Sequence, residues 1–246
     1  MMRCSPWALL PPVYSGLTAV GLWVVYYIAV CHKRITPLGT KYRRNGSLYP
    51  PYISVAGNFP PASCIFTEVM NLAAFVGFII AVLRYLQLKN KINRKLNIIS
   101  LVVFSIGCFG MTLVGNFQLF ADELIHNLGT FLTFGMGTLF CWIQSLITMR
   151  ANIKNEGRKT SILRFLLSGI ITVSMILYFS LISQHFHMQA SQSQWALVMF
   201  FLIFLSTFAI EFRHFHFDLI CTDYFGSPES HSEILSETST YQPDQL

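Results

Sequence analysis

The chain has 246 residues, 53% of them hydrophobic, 15% aromatic and only 11% charged, a balance far from that of a water-soluble domain. The charges gather in short blocks, and the runs between them approach the roughly 20 apolar residues that cross a hydrocarbon core. These runs lack the alternation of barrel strands, so helices are expected, and the net charge of +6 bears on orientation in a lipid bilayer and not on nucleic acid.

A short head, 1–6, precedes a first span at 7–30, where Pro11 and Pro12 suit the start of a helix. The run exceeds a signal peptide core of about 7–15 residues, and Tyr26-Tyr27-Ile28-Ala29-Val30 is a poor cleavage site, so an uncleaved anchor is expected. A polar loop, 31–63, is rich in Pro, Gly and Tyr and reads as irregular. The second span, 64–88, ends at the basic block 89–95. The third, 96–120, is joined by a turn at 121–125 to the fourth, 126–149, which must run antiparallel beside it. A basic loop, 150–160, leads to the fifth span, 161–186, and a polar loop, 187–194, to the sixth, 195–212. The tail, 213–246, carries too little apolar surface from about residue 222 to fold, and disorder is expected there. The expected fold is all-α: a polytopic membrane protein with six transmembrane helices in an antiparallel bundle, both termini on one side.

With this arrangement, twelve of the 17 Lys and Arg residues fall on the face of the termini, and the other five lie in the first loop. The positive-inside rule then places both termini in the cytoplasm. The sequon Asn45-Gly46-Ser47 lies in the loop that this orientation puts outside, so Asn45 is the expected glycosylation site. The cysteines at 4, 31, 64, 108, 141 and 221 form no CxxC pair, and neither a zinc site nor a disulfide scaffold follows. Cys31 and Cys64 bracket the first loop and could pair if it faces an oxidising compartment; Cys108 and Cys141 read as small buried hydrophobes.

Polar residues concentrate near one end of the expected bundle: Glu68, Asn71, Asn116, Gln118, Asp122, Glu123, His126 and Asn127. An outer layer of acids and amides would attract cations and offer oxygen ligands; the same residues equally suit hydrated helix ends. At the other end, Lys89, Lys91, Arg94 and Lys95, with Arg150, Lys154, Arg158 and Lys159, are candidates for contact with anionic lipids, phosphoinositides among them, at roughly 1 kcal/mol per charge. Topology alone also accounts for them. Gly107, Gly110 and Gly115 in the third span and Gly129, Thr133 and Gly137 in the fourth point to a close helix seam, which could slide under membrane tension. His185 with His187, and His214 with His216, are two apart and diverge on a helix, so no metal site is expected. Glu211, Arg213 and His214 read as an ion pair where the sixth span leaves the membrane. No GxSxG, HExxH or Walker pattern occurs, so neither an enzyme nor a cofactor is expected. The terminal Asp244-Gln245-Leu246 suits capture by a PDZ domain.

Gly21-Leu22-Trp23-Val24-Val25-Tyr26, Tyr52-Ile53-Ser54, Phe59-Pro60-Pro61-Ala62-Ser63-Cys64 and Val114-Gly115-Asn116-Phe117-Gln118 resemble the transmembrane protein 150 family, related to the damage-regulated autophagy modulators. The resemblance covers essentially the whole chain, although 31–49 shows no family motif. It implies a six-helix, non-enzymatic protein of the plasma membrane and of endosomes and lysosomes. One branch of the family is associated with mechanically activated, slowly inactivating cation currents, and the wider family with autophagy and the organisation of phosphoinositide synthesis. The function so implied is a component or modulator of a mechanosensitive cation channel, with other channel subunits or further copies of the chain as partners. The alternative is a membrane scaffold regulating autophagy or phosphoinositide synthesis.

Overall fold

Helix starts and stops are written into short polar punctuation between apolar runs. The computed structural model describes residues 5–40, 48–153 and 156–217; Asn45, Lys154 and the tail from residue 218, with its PDZ-like end, lie outside them. Six helices are long and apolar enough to cross a membrane: α1 (Pro6–Cys31), α2 (Ala62–Leu88), α3 (Arg94–Asn116), α4 (Glu123–Ala151), α5 (Gly157–Ser183) and α6 (His187–Phe212). At 1.5 Å per residue even the shortest reaches about 35 Å, more than the hydrocarbon thickness. Asn93 caps α3 by accepting the Lys95 N–H at 2.9 Å, and Asp122 caps α4 by accepting that of Ile125 at 3.1 Å. Asn152 ends α4 in the left-handed region, at φ 37°, a conformation asparagine tolerates.

Each helix packs on the next in sequence, and α6 returns to α1, closing a ring. The end where α1 begins and α6 finishes, the terminal end, is stitched by the Ser5 N–H donating to the Arg213 carbonyl at 3.4 Å. The opposite end is the loop end. There Ile35 bridges to Tyr49, and a single helical turn, Ile53–Ala56, is buried with Leu22, Val25, Phe66 and Trp195. The ring is apolar outside and partly polar within: Leu17, Phe75, Phe109, Phe131 and Leu166 are exposed, while Ser100, Gln144, Ser145 and Ser168 are buried. This is the arrangement lipid demands, because a polar side chain there faces the bundle interior.

Several expected bounds move, the fifth span among them, which runs Gly157–Ser183 instead of 161–186. The segment 187–194, expected to be a loop, is the first part of α6, because its polar groups are satisfied by protein: the Gln194 Oε1 accepts the Ile53 N–H at 2.9 Å, and the Tyr52 hydroxyl lies 3.1 Å from His187 Nδ1. The turn between α3 and α4 occupies 117–122 instead of 121–125, since α3 ends at Asn116 and α4 starts behind its Asp122 cap. The first loop, expected to be irregular, contains the Ile53–Ala56 turn of helix. Cys31 and Cys64 are both free and exposed, so the bridge that the sequence left open is not formed. A Cβ at Gly21 would lie 2.6 Å from Val69, which sets residue 26 level with residue 64. Cys31 then stands about 7.5 Å further along the axis, past the roughly 7 Å between Cα atoms that a disulfide spans.

The glycine seam between α3 and α4 is a close backbone contact: a Cβ on Gly110 would lie 2.8 Å from both the Gly129 oxygen and the Thr133 nitrogen. One turn on, Leu132–Met136 is wound as a π-helix. Backbone cannot give way as a side chain can, so Gly110→Ala should lower stability by about 1–3 kcal/mol, read as a fall in melting temperature in detergent. Gly135→Ala, with nothing within 4 Å of the added carbon, should not.

Candidate functional site: a buried arginine, glutamate and arginine network

Three helices bring ionised side chains together inside the terminal end. Glu211 is 4% exposed, Arg84 1% and Arg164 0%. Arg84 and Gln87 lie one turn apart on α2, Gln144 and Thr148 on α4, and Thr207 and Glu211 on α6, while Ser161, Arg164 and Ser168 follow one face of α5. These spacings aim each set inward.

Arg164 grips the Glu211 carboxylate with both terminal nitrogens, at 2.7 and 2.6 Å, and Arg84 Nη2 approaches Oε1 at 2.9 Å. Such paired N–H bonds to a carboxylate are among the strongest a protein forms. Every other guanidinium nitrogen has a partner as well. Arg84 donates to Gln144 Oε1 at 3.1 Å, Gln87 Oε1 at 2.6 Å and Thr148 Oγ1 at 3.2 Å; Arg164 donates to Thr207 Oγ1 at 2.9 Å and to Thr148 Oγ1. Gln87 in turn donates to the Glu211 carbonyl at 3.0 Å, and Gln144 to Ser100 on α3 at 2.8 Å. Both guanidinium groups also lie against the Phe208 ring, at 5.2 and 4.5 Å from its centroid, an attraction that strengthens without water. The network therefore ties α2, α3, α4, α5 and α6 together across the ring. Two cations share one carboxylate, and the excess positive charge is spread over hydroxyl, amide and ring partners.

The expected Glu211, Arg213 and His214 ion pair is corrected by this geometry. Glu211 points inward to Arg84 and Arg164, whereas Arg213 bonds Glu156 and His214 Nε2 lies 3.2 Å from Glu156 Oε2. Two positions separate Glu211 from Arg213, about 200° of helix rotation, which turns Glu211 to the inside and leaves Arg213 at the surface. Arg84 and Arg164, counted as facing the cytoplasm in the sequence, are buried.

Lys89, Lys91, Arg94, Lys95, Arg150, Arg158 and Lys159 are all exposed around that end. At the loop end, the expected cation-attracting residues serve local bonds. Asn71 and Asn116 pair across α2 and α3 at 3.0 and 3.1 Å, Asp122 caps α4, and Asn127 reaches Glu123 at 3.5 Å. His126 Nδ1 meets the Phe117 carbonyl at 2.6 Å. Glu68 is exposed and Gln118 half-buried. None of these eight lines the central cavity of about 80 Å³, whose wall is mainly apolar and includes Leu22, Phe66, Met111, Phe134 and Phe201.

Residues 6–215 match the family model described as the Frag1/DRAM/Sfk1/Cwh43P N-terminal domain. The chain belongs to that family. Within it, the match is to the transmembrane protein 150 group. Modulator of macroautophagy TMEM150B of Danio rerio is 34% identical over 86% of this chain and 88% of its own length. Transmembrane protein 150A of Mus musculus is 28% identical over 96% of each, and modulator of macroautophagy TMEM150B of Homo sapiens is 28% identical over 89% of this chain and 91% of its own. No solved structure matches the chain.

Removing the carboxylate from the network leaves two buried guanidinium groups uncompensated, so Glu211→Gln should cost about 3–5 kcal/mol of stability, seen as loss of folded protein in detergent melts. Arg164→Lys, which cannot grip both carboxylate oxygens, should fall between Glu211→Gln and the unsubstituted protein. The surface cluster responds to pH. Hydrogen bonding from Arg213, then from His214, holds the Glu156 carboxyl below its usual value near 4.5. Its contribution is therefore complete above that value and is lost as pH falls through the lower folded one. The melting difference between the unsubstituted protein and Glu156→Gln should accordingly be present at pH 7 and vanish in strong acid.

Proposed function

We propose that the chain is a non-catalytic membrane regulator of autophagy that acts as a scaffold, with both termini in the cytoplasm of plasma-membrane and endosome or lysosome membranes. The observation that carries this reading is the sealed terminal end. Its interior is filled by an ion network with every guanidinium group engaged, and its rim carries the exposed Lys89, Lys91, Arg94, Lys95, Arg150, Arg158 and Lys159. A rigid basic face beside a bilayer collects anionic lipids, phosphoinositides included, at roughly 1 kcal/mol per charge. The tail can then recruit partners, a PDZ protein at Asp244-Gln245-Leu246 being one. Two relatives known as modulators of macroautophagy support this reading.

A second reading, a component or modulator of a mechanosensitive cation channel with slowly inactivating currents, is favoured by the seam between α3 and α4. There a glycine contact adjoins the Leu132–Met136 π-turn, and such turns recur at functional sites. It is favoured too by Asn152-Ile153-Lys154-Asn155-Glu156-Gly157-Arg158, Glu211-Phe212-Arg213-His214 and the last residues of the tail, which resemble the C member of the transmembrane protein 150 family, tentonin. In this reading the chain works with other channel subunits or as a homo-oligomer, and Glu68, Asp122 and Glu123 bias cations toward its outer side.

Reconstitution of the purified protein alone separates the two. A scaffold gives silent patches under stretch while binding vesicles that contain anionic lipid, and reversing Lys89, Lys91, Arg94 and Lys95 to Glu should weaken that binding by an order of magnitude or more. Stretch-evoked cation currents from the same preparation would reverse the ranking. In that case joint neutralisation of Glu68, Asp122 and Glu123 should alter their amplitude.

A further inference from the structure

Among the described residues, three buried side-chain polar atoms have no hydrogen-bond partner: Ser5 Oγ, His126 Nε2 and Asn97 Oδ1. Asn97 stands beside an open space. It is 2% exposed, and its Nδ2 donates to the Tyr85 carbonyl at 2.8 Å, near the end of α2. That bond orients the amide and leaves its oxygen over. An acceptor left unmade in a buried position costs free energy.

Tyr85 and Asn97, with Lys89, Asn90 and Arg94, line a recess of about 400 Å³ at the hairpin between α2 and α3. None of the five is acidic. Lys89, Asn90 and Arg94 are exposed and Tyr85 is half-buried, so Asn97, the one buried member, forms the floor. Arg94 is also the first residue of α3, behind the Asn93 cap, and the opening N–H groups of a helix of 23 residues add to the positive field there.

We propose that this recess binds a phosphate group with hydroxyls beside it, the chemistry shared by a polyol phospholipid headgroup and a free polyol phosphate. The inference rests on the reading of the terminal end as a basic face that collects anionic lipids, and it names the headgroup that face selects. Lys89, Arg94 and the start of α3 answer the phosphate. The Asn97 oxygen can only accept, so the ligand must also donate. A choline headgroup has no donor. A serine headgroup donates through an ammonium, which sets a third cation beside Lys89 and Arg94 and is repelled. A hydroxyl donates without charge, and so completes the floor while the phosphate keeps both cations.

The test titrates the full-length protein in detergent with phosphatidylinositol and with phosphatidylserine, which carry the same net charge, and counts bound lipid by native mass spectrometry. Phosphatidylinositol should bind about five-fold more tightly, the effect of one additional hydrogen bond. Lys89→Gln with Arg94→Gln should erase that preference, whereas Lys91→Gln with Lys95→Gln, which removes equal charge outside the recess, should weaken both lipids and keep it. Asn97→Leu should erase it too, with folding checked by melting. Inositol phosphate added in solution separates the sources: displacement of the lipid at matched concentration points to the free polyol phosphate, and failure to displace points to the headgroup in the membrane. Equal affinity for the two lipids, or the same loss of preference from both pairs of substitutions, would overturn the assignment and leave a basic face that gathers anionic lipid by charge alone. Binding of neither lipid would overturn that underlying reading as well.

Discussion

A carboxylate with two guanidinium groups at 2.6–2.9 Å, sealed from water, can exist only if the helices that carry it are fixed relative to one another. Burying charge is expensive, and the attraction recovers that cost only when geometry is good and every remaining hydrogen has a partner. Here Gln87, Gln144, Thr148 and Thr207, with the carboxylate, give every guanidinium nitrogen a partner. The rest of the terminal end follows from this constraint. α6 is interrupted at Thr207 and Phe208, where the hydroxyl receives Arg164 and the ring lies against both arginines, and Glu211 is presented one turn later. Among lipid tails, helices gain no hydrophobic advantage from meeting one another, so packing and polar bonds of this kind choose the partners.

The two ends of the ring are closed by different physics. At the terminal end, charge and hydrogen bonds cross the axis. At the loop end, the connection between α1 and α2 lies over the bundle with Ile35, Ile53 and Val55 buried, and the side chains of α6 hold it down. Between them lies a small apolar cavity, reached by contributions from all six spans. Such a body is stiff at one end and clasped at the other, which suits a frame that presents surfaces. Rearrangement, where it occurs, would start at the helix pair wound tightly around glycine and loosened by a π-turn.

Composition and run length made the six helices legible, since lipid imposes a simple rule on length and polarity. The close seam of α3 and α4 was legible from Gly110 and Gly129 for the same reason: only glycine permits the observed approach. The network was not. Arg84 and Arg164 stand close enough to span ends to read as surface charge, and Glu211 has Arg213 and His214 as nearer neighbours in sequence. The missed signal was Gln87, Gln144 and Thr148 within or beside apolar runs, polar groups that had to face an interior partner. The loop at 187–194 was misread because its polarity resembles solvent exposure, whereas Ser191 and Gln194 are buried against protein. Nothing in one sequence could pair Gln194 with Ile53, 141 positions away.

The aromatic cluster at the loop end has a practical consequence. Trp195 stacks on Trp23 at 4.4 Å, meets Tyr26 edge-on, and donates its indole N–H to the Pro51 carbonyl at 3.0 Å. Indole emission depends on such neighbours, and this chain has only 4 tryptophans. The protein thus carries a built-in optical gauge: displacement of the segment that follows Pro51 alters the surroundings of a stacked chromophore pair, so the cover over the cavity can be watched in the purified protein without any attached dye.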